Sequence, residues 1–98
     1  MTLAELARVV RSKNAGPTLL TIDVLFANDA DFQRGRQALS VAAVAARYGR
    51  AVEDTQVIAL PDARAVKIVM PRTVTAGAPG DCDIYGAQQH RPLLDLAV

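Results

Sequence analysis

The stretch Gln56-Val57-Ile58-Ala59-Leu60-Pro61-Asp62-Ala63-Arg64-Ala65-Val66-Lys67-Ile68-Val69-Met70 decides the fold. Two runs rich in Val, Ile and Leu flank the Pro61-Asp62 turn signal. β-Branched residues suit a pleated, half-buried surface, and Pro-Asp suits a tight reversal. Gln56 to Leu60 reads as one strand and Ala63 to Met70 as the next, with Ala65, Lys67 and Val69 alternating against Val66, Ile68 and Met70. Strands joined by so short a turn pair as an antiparallel hairpin.

Upstream, Thr18 to Phe26 reads as a central strand, largely apolar on both faces, with Asp23 as its anomaly. Asn28 or Asp29 caps a helix running to about Leu39. Ser40 starts another, with Val41, Val44, Ala45 and Tyr48 on one side, and Gly49 ends it before the acidic turn Glu53-Asp54. At the beginning of the sequence, Leu3, Leu6, Ala7 and Val10 fall at helical spacing behind Thr2 as N-cap. Arg8, Arg11 and Lys13 would complement that helix's C-terminal dipole, and Asn14, Gly16 and Pro17 would stop it. Downstream, Pro71 to Pro92 is polar and glycine-rich, and Leu93 to Val98 reads as a short apolar strand. The expectation is one domain, 1–98, of the α/β class in its α+β form. It would have a mixed, mainly antiparallel sheet of about four strands with two or three helices.

Composition bounds the function. A chain of 98 residues with 51% hydrophobic side chains can pack a core, yet it buries only about 60–65% of its unfolded surface, so its own stability is modest. Aromatics are 4% with no Trp, which leaves the core to Val, Ile, Leu and Ala, with Phe26, Phe32 and Tyr48 in it or at its rim. A net charge of +1 without a basic stripe argues against nucleic acid as a partner. The longest apolar stretch, Val41 to Ala46, is far shorter than the ~20 residues that span a bilayer. No basic-then-apolar leader follows Met1, and a lone Cys82 fits a reducing compartment, so a cytoplasmic location is expected.

Two loops concentrate polar chemistry. In Arg11-Ser12-Lys13-Asn14-Ala15-Gly16-Pro17, two cations, a hydroxyl and an amide sit beside a glycine that permits close backbone approach, which suits a carboxylate or phosphate. The alternative is a well-made helix stop. In the stretch Gly80 to His90, Asp81 and Asp83 share a face in extended chain, and with His90 they would suit a hard cation, although that spacing is unspecific. Asp83 and His90 also suit proton transfer, while Gln88 and Gln89 suit an interface or ligand orientation. The alternative is a polar loop that satisfies its own backbone and contacts a partner. Cys82 reads as a small packed residue. Asp23 and Lys67 each need a partner or an exposed edge; they would pair with each other, with Arg11 and Lys13, or face solvent. Phosphate-binding, dinucleotide and nucleophile-elbow motifs and zinc Cys pairs are missing, so no cofactor is expected.

The motifs Arg11 to Pro17, Ala65-Val66-Lys67-Ile68 with Pro71-Arg72, and Gly80 to Leu94 together resemble the family of domain of unknown function 4387, over nearly the whole chain. Members of that family are encoded beside, or fused behind, a large protein similar to the acyclic terpene utilisation protein. The resemblance therefore implies such a large subunit as partner, and a hydratase- or lyase-like reaction on a carboxylic acid or acyl-CoA in bacterial catabolism. The leading expectation is a minor subunit that completes the large subunit's active site. Arg11, Ser12, Lys13, Asn14, Gly16, Gln88 and Gln89 would bind substrate, and Asp83 and His90 would move protons. The alternatives are a non-catalytic assembly or regulatory module, and a stand-alone small-molecule binding protein that forms a homo-oligomer.

Overall fold

The structure, a computed structural model, describes residues 1–16, 18–71 and 93–98. Its elements run α1 (Leu3–Leu6), β1 (Val9–Asn14), β2 (Leu19–Leu25), α2 (Asp29–Ala38), α3 (Val41–Tyr48), β3 (Gln56–Leu60) and β4 (Ala65–Pro71). The strands form a four-stranded sheet in the order β1-β2-β4-β3, with every neighbouring pair antiparallel. This is the expected α+β architecture.

The hairpin forms as read. A 3-10 turn over Pro61–Ala63 joins β3 to β4, and the ladder runs from Gln56 opposite Val69 to Leu60 opposite Ala65. Local chemistry also sets α2 and α3. Asn28 Oδ1 accepts from the Asp31 N–H at 2.9 Å, and Ser40 Oγ accepts from the Ala43 N–H at 3.2 Å, each satisfying a donor that the first helical turn leaves open. Gly49 closes α3 at φ 62°, ψ 35°, where a side chain would be strained.

The two ends of the chain depart from the sequence reading. The first helix stops at Leu6, where Ala7 turns extended, and Val9 to Asn14 form an edge strand against β2 instead of helix. Val10 suits both periods, but strand pairing gives the backbone of six residues a ladder beside β2. The C-terminal Leu93 to Val98 is a turn with a single bridge, Ala97 to Thr2, and not a strand. It is tied to α1 by the Leu3 N–H to Leu96 carbonyl bond (2.8 Å) and the Ala4 N–H to Leu94 carbonyl bond (3.0 Å).

The core lies on one face of the sheet. Leu20, Ile22, Val24, Val66, Ile68 and Met70 meet Leu3, Leu6, Phe32, Leu39, Val44, Leu93 and Leu96 there. Among the described residues no helix is long and apolar enough to cross a membrane.

Candidate functional site

Side chains alternate between faces along a strand, so a register that buries Ile22 and Ile68 turns their neighbours to the other side. Three rows cross that second face. Lys13, Thr21, Val69 and Gln56 make the first, Arg11, Asp23, Lys67 and Ile58 the second, and Val9, Leu25, Ala65 and Leu60 the third. The described helices pack on the opposite face, through the core cluster. Four large apolar residues of the open face are exposed: Val9 at 38%, Leu19 at 40%, Ile58 at 42% and Leu60 at 41%.

The charges sit in the middle of this apolar field. Asp23 on β2 lies between Arg11 on β1 and Lys67 on β4. Its Oδ2 is 3.7 Å from Arg11 Nε, which settles the pairing in favour of Arg11. Among the described residues Lys13 and Lys67 have no ion-pair partner. Among the described residues three cations against one carboxylate leave the face net positive, and cations on the two strands that flank β2 suit a carboxylate or phosphate group. Thr21 is buried in the same face, with its hydroxyl donating to the Lys13 carbonyl at 3.2 Å, which braces the strand that carries both Arg11 and Lys13.

The expected anion loop is thereby divided. Arg11 and Lys13 stand on the open face. Ser12 and Asn14 pair with Ile22 and Leu20 on the core side, and Ser12 is buried. Both already have polar partners. Gly16 occupies the β1–β2 turn at φ 94°, with nothing within 4 Å of where a Cβ would stand. The reading of Arg11 and Lys13 as helix C-terminal cations is overturned, because they belong to a strand. Asp83, Gln88, Gln89 and His90 lie outside the described residues. Among the described residues no three His, Cys, Asp or Glu side chains are grouped to hold a metal ion.

One feature has no sequence signal. A cleft of about 650 Å³ opens where β1 begins, β2 ends and the β3–β4 turn meets α2, lined among others by Arg8, Phe26, Asp29, Asp62 and Arg64. Arg64 has φ 49°, ψ 46°, a left-handed conformation usually marked by Gly or Asn. Its guanidinium is engaged, with Nε 3.0 Å from Asp29 Oδ1 and Nη1 donating to the Ala27 carbonyl at 3.2 Å. Two arginines against two aspartates balance formally, so this cleft attracts an anion less strongly than the open face does.

Comparison with known proteins identifies the family. The model described as Domain of unknown function (DUF4387) matches residues 3–97. The chain belongs to this family. No curated protein and no solved structure matches it. For this DUF4387 member the open sheet face, with Arg11 and Lys13 from the family-like N-terminal motif, is therefore the candidate site.

Proposed function

We propose that the chain is the minor subunit of a two-component catabolic enzyme, docking the open sheet face onto a large acyclic terpene utilisation-like subunit and completing its site for a carboxylic acid or acyl-CoA. The observation that carries this reading is the open face itself, where Val9 and Leu19 are exposed beside Arg11, Lys13 and Lys67. A small domain that leaves apolar side chains and cations together on one surface has the composition of an interface core with charged recognition groups. Burying Val9 and Leu19 against a partner would desolvate the cations. Their attraction for a substrate carboxylate or phosphate strengthens as water is excluded. Arg11 and Lys13 hold the anionic group in this reading. Proton transfer falls to Asp83 and His90, on their chemistry alone.

The experiment is purification of the tagged chain from its native host. A large protein following it in fixed ratio is expected. Leu19→Glu should break that complex by placing a charge in the apolar contact, while Lys13→Ala should keep the complex and abolish turnover. A chain that purifies alone overturns the subunit reading, and unchanged turnover in Lys13→Ala removes this lysine from the mechanism.

A further inference from the structure

The two edges of the sheet differ in a way that bears on self-association. An edge strand exposes unpaired N–H and C=O groups, and proteins blunt such edges with charge, proline or bulges. β1 carries Arg11 and Lys13 on its edge. β3, Gln56-Val57-Ile58-Ala59-Leu60, has no charge, no proline, no glycine and an unbroken register with β4. Ile58 and Leu60, on its open-face side, are both exposed.

Among the described residues the hydrogen-bond phase of the sheet fixes which β3 groups are free. The Phe26 N–H donates to the Arg64 carbonyl at 2.8 Å, continuing the β2–β4 register one step, so Val24, Ile22 and Leu20 bond to Val66, Ile68 and Met70. Ala65, Lys67 and Val69 then turn their backbone groups to Leu60, Ile58 and Gln56. Val57 and Ala59 are left with N–H and C=O pointing off the edge.

We propose that β3 is the interface with a second copy of this chain, paired antiparallel about a two-fold axis at Ile58 to make one continuous eight-stranded sheet. Val57 of each copy exchanges both backbone bonds with Ala59 of the other, and the two Ile58 residues face each other as the non-hydrogen-bonded pair. The strand matches itself in this register: no charge is buried, all four outward groups on each copy are satisfied, and Gln56 lies opposite Leu60. Asp54 and Asp62 lie in the 3-10 turns that flank the strand, so each end of the pairing brings an aspartate of one copy toward one of the other. That like-charge contact confines the pairing to five residues, and salt should tighten the dimer by screening it. A contact this small gives a concentration-dependent dimer, not a permanent one. The axis is perpendicular to the sheet, so both open faces lie on one side. The proposal does not depend on the large subunit.

The test is sedimentation equilibrium of the isolated chain over a concentration series at low and high salt. The expected result is a monomer–dimer equilibrium that shifts toward dimer with salt. Ala59→Pro removes an outward N–H that the β3–β4 ladder does not use, and should give the monomer mass at every concentration with an unchanged circular dichroism spectrum. Ile58→Lys should do the same through charge at the axis. In a Cys82→Ser background, Ile58→Cys should form a covalent dimer on oxidation, because facing non-hydrogen-bonded residues lie about 4.5 Å apart at Cα, within disulfide reach. Gln56→Cys in the same background should not. Three results overturn the proposal: a monomer throughout, a dimer that survives both Ala59→Pro and Ile58→Lys, or a covalent dimer from the Gln56→Cys variant and none from Ile58→Cys.

Discussion

Arg11 and Asp23 face each other on adjacent antiparallel strands, with Nε 3.7 Å from Oδ2, and Lys67 stands opposite the same aspartate from the other side. One half-buried carboxylate thus sits between two cations on a face that carries a further lysine, Lys13. Arg11 is 65% exposed, so the pair with Asp23 contributes little by itself. Removing the carboxylate is different, because it leaves cations on both flanking strands with nothing between them. Asp23→Asn should lower stability by about 1 kcal/mol, and Arg11→Ala by no more than about 0.5 kcal/mol. Urea denaturation checks this: the Asp23→Asn midpoint should fall at an unchanged slope.

Gly35 lies inside α2, where alanine would ordinarily add about 1 kcal/mol of stability. Here the sign reverses. A Cβ at this position would overlap Cζ and Cε1 of Phe26, a buried ring packed edge-on against Phe32 with centroids 6.2 Å apart. Neither ring can move without opening the core, so Gly35→Ala should destabilise by roughly 1–2 kcal/mol net. Phe26→Leu in the same chain should recover part of that loss. Additive effects in a double-mutant cycle would show that the Gly35–Phe26 approach is not the cause.

How much of this is readable in the sequence follows from where the information sits. α2, α3 and the hairpin are legible because their signals are local: Asn28, Ser40 and Gly49 mark ends, and residues 56–70 alternate. β1 is not, because Leu3, Leu6 and Val10 satisfy the helical period while Val10, Ser12 and Asn14 satisfy the strand period. The choice between them is made by Asp23, Thr21 and the rest of β2, which no window around β1 contains. The site shares this fate. Arg11 and Lys13 are legible as cations in an anion-binding motif, but their separation from Ser12 and Asn14 depends on the strand pleat. The cleft at Arg64 is invisible, since an arginine in the left-handed region has no compositional mark.

Glu5 and Tyr48 give stability a pH dependence. The Glu5 carboxylate accepts the Thr2 N–H at 2.9 Å and its hydroxyl at 3.0 Å, and these bonds hold its pKa below the ordinary value. Its contribution is present above the normal glutamate range and fades as pH falls through the lowered folded value. Burial pushes the Tyr48 phenol well above its ordinary value of 10.0, because a phenolate there would be desolvated. That contribution is complete below the unfolded phenol's pKa and is lost as pH rises beyond it. With Tyr85→Phe leaving Tyr48 as the single tyrosine, phenolate absorbance should stay absent through the ordinary phenol range and appear only at higher pH. Titration at the ordinary value would show that Tyr48 is not shielded.

Arg64 combines an unfavourable backbone with a favourable side chain. Its φ of 49° costs about 1 kcal/mol for an ordinary residue and more for a β-branched one. Against this stand the bonds from its guanidinium to Asp29 and the Ala27 carbonyl, which tie the β3–β4 turn to the start of α2. The group is 48% exposed, so water screens the ion pair and those bonds are worth no more than about 1 kcal/mol together. Glycine removes the strain and the bonds at once, and Arg64→Gly should therefore be nearly neutral in thermal melts. Arg64→Val loses the bonds and deepens the strain, and should cost about 2 kcal/mol. If the two variants melt together, the left-handed backbone at Arg64 has no energetic weight, and the turn is held by the Pro61–Ala63 segment alone.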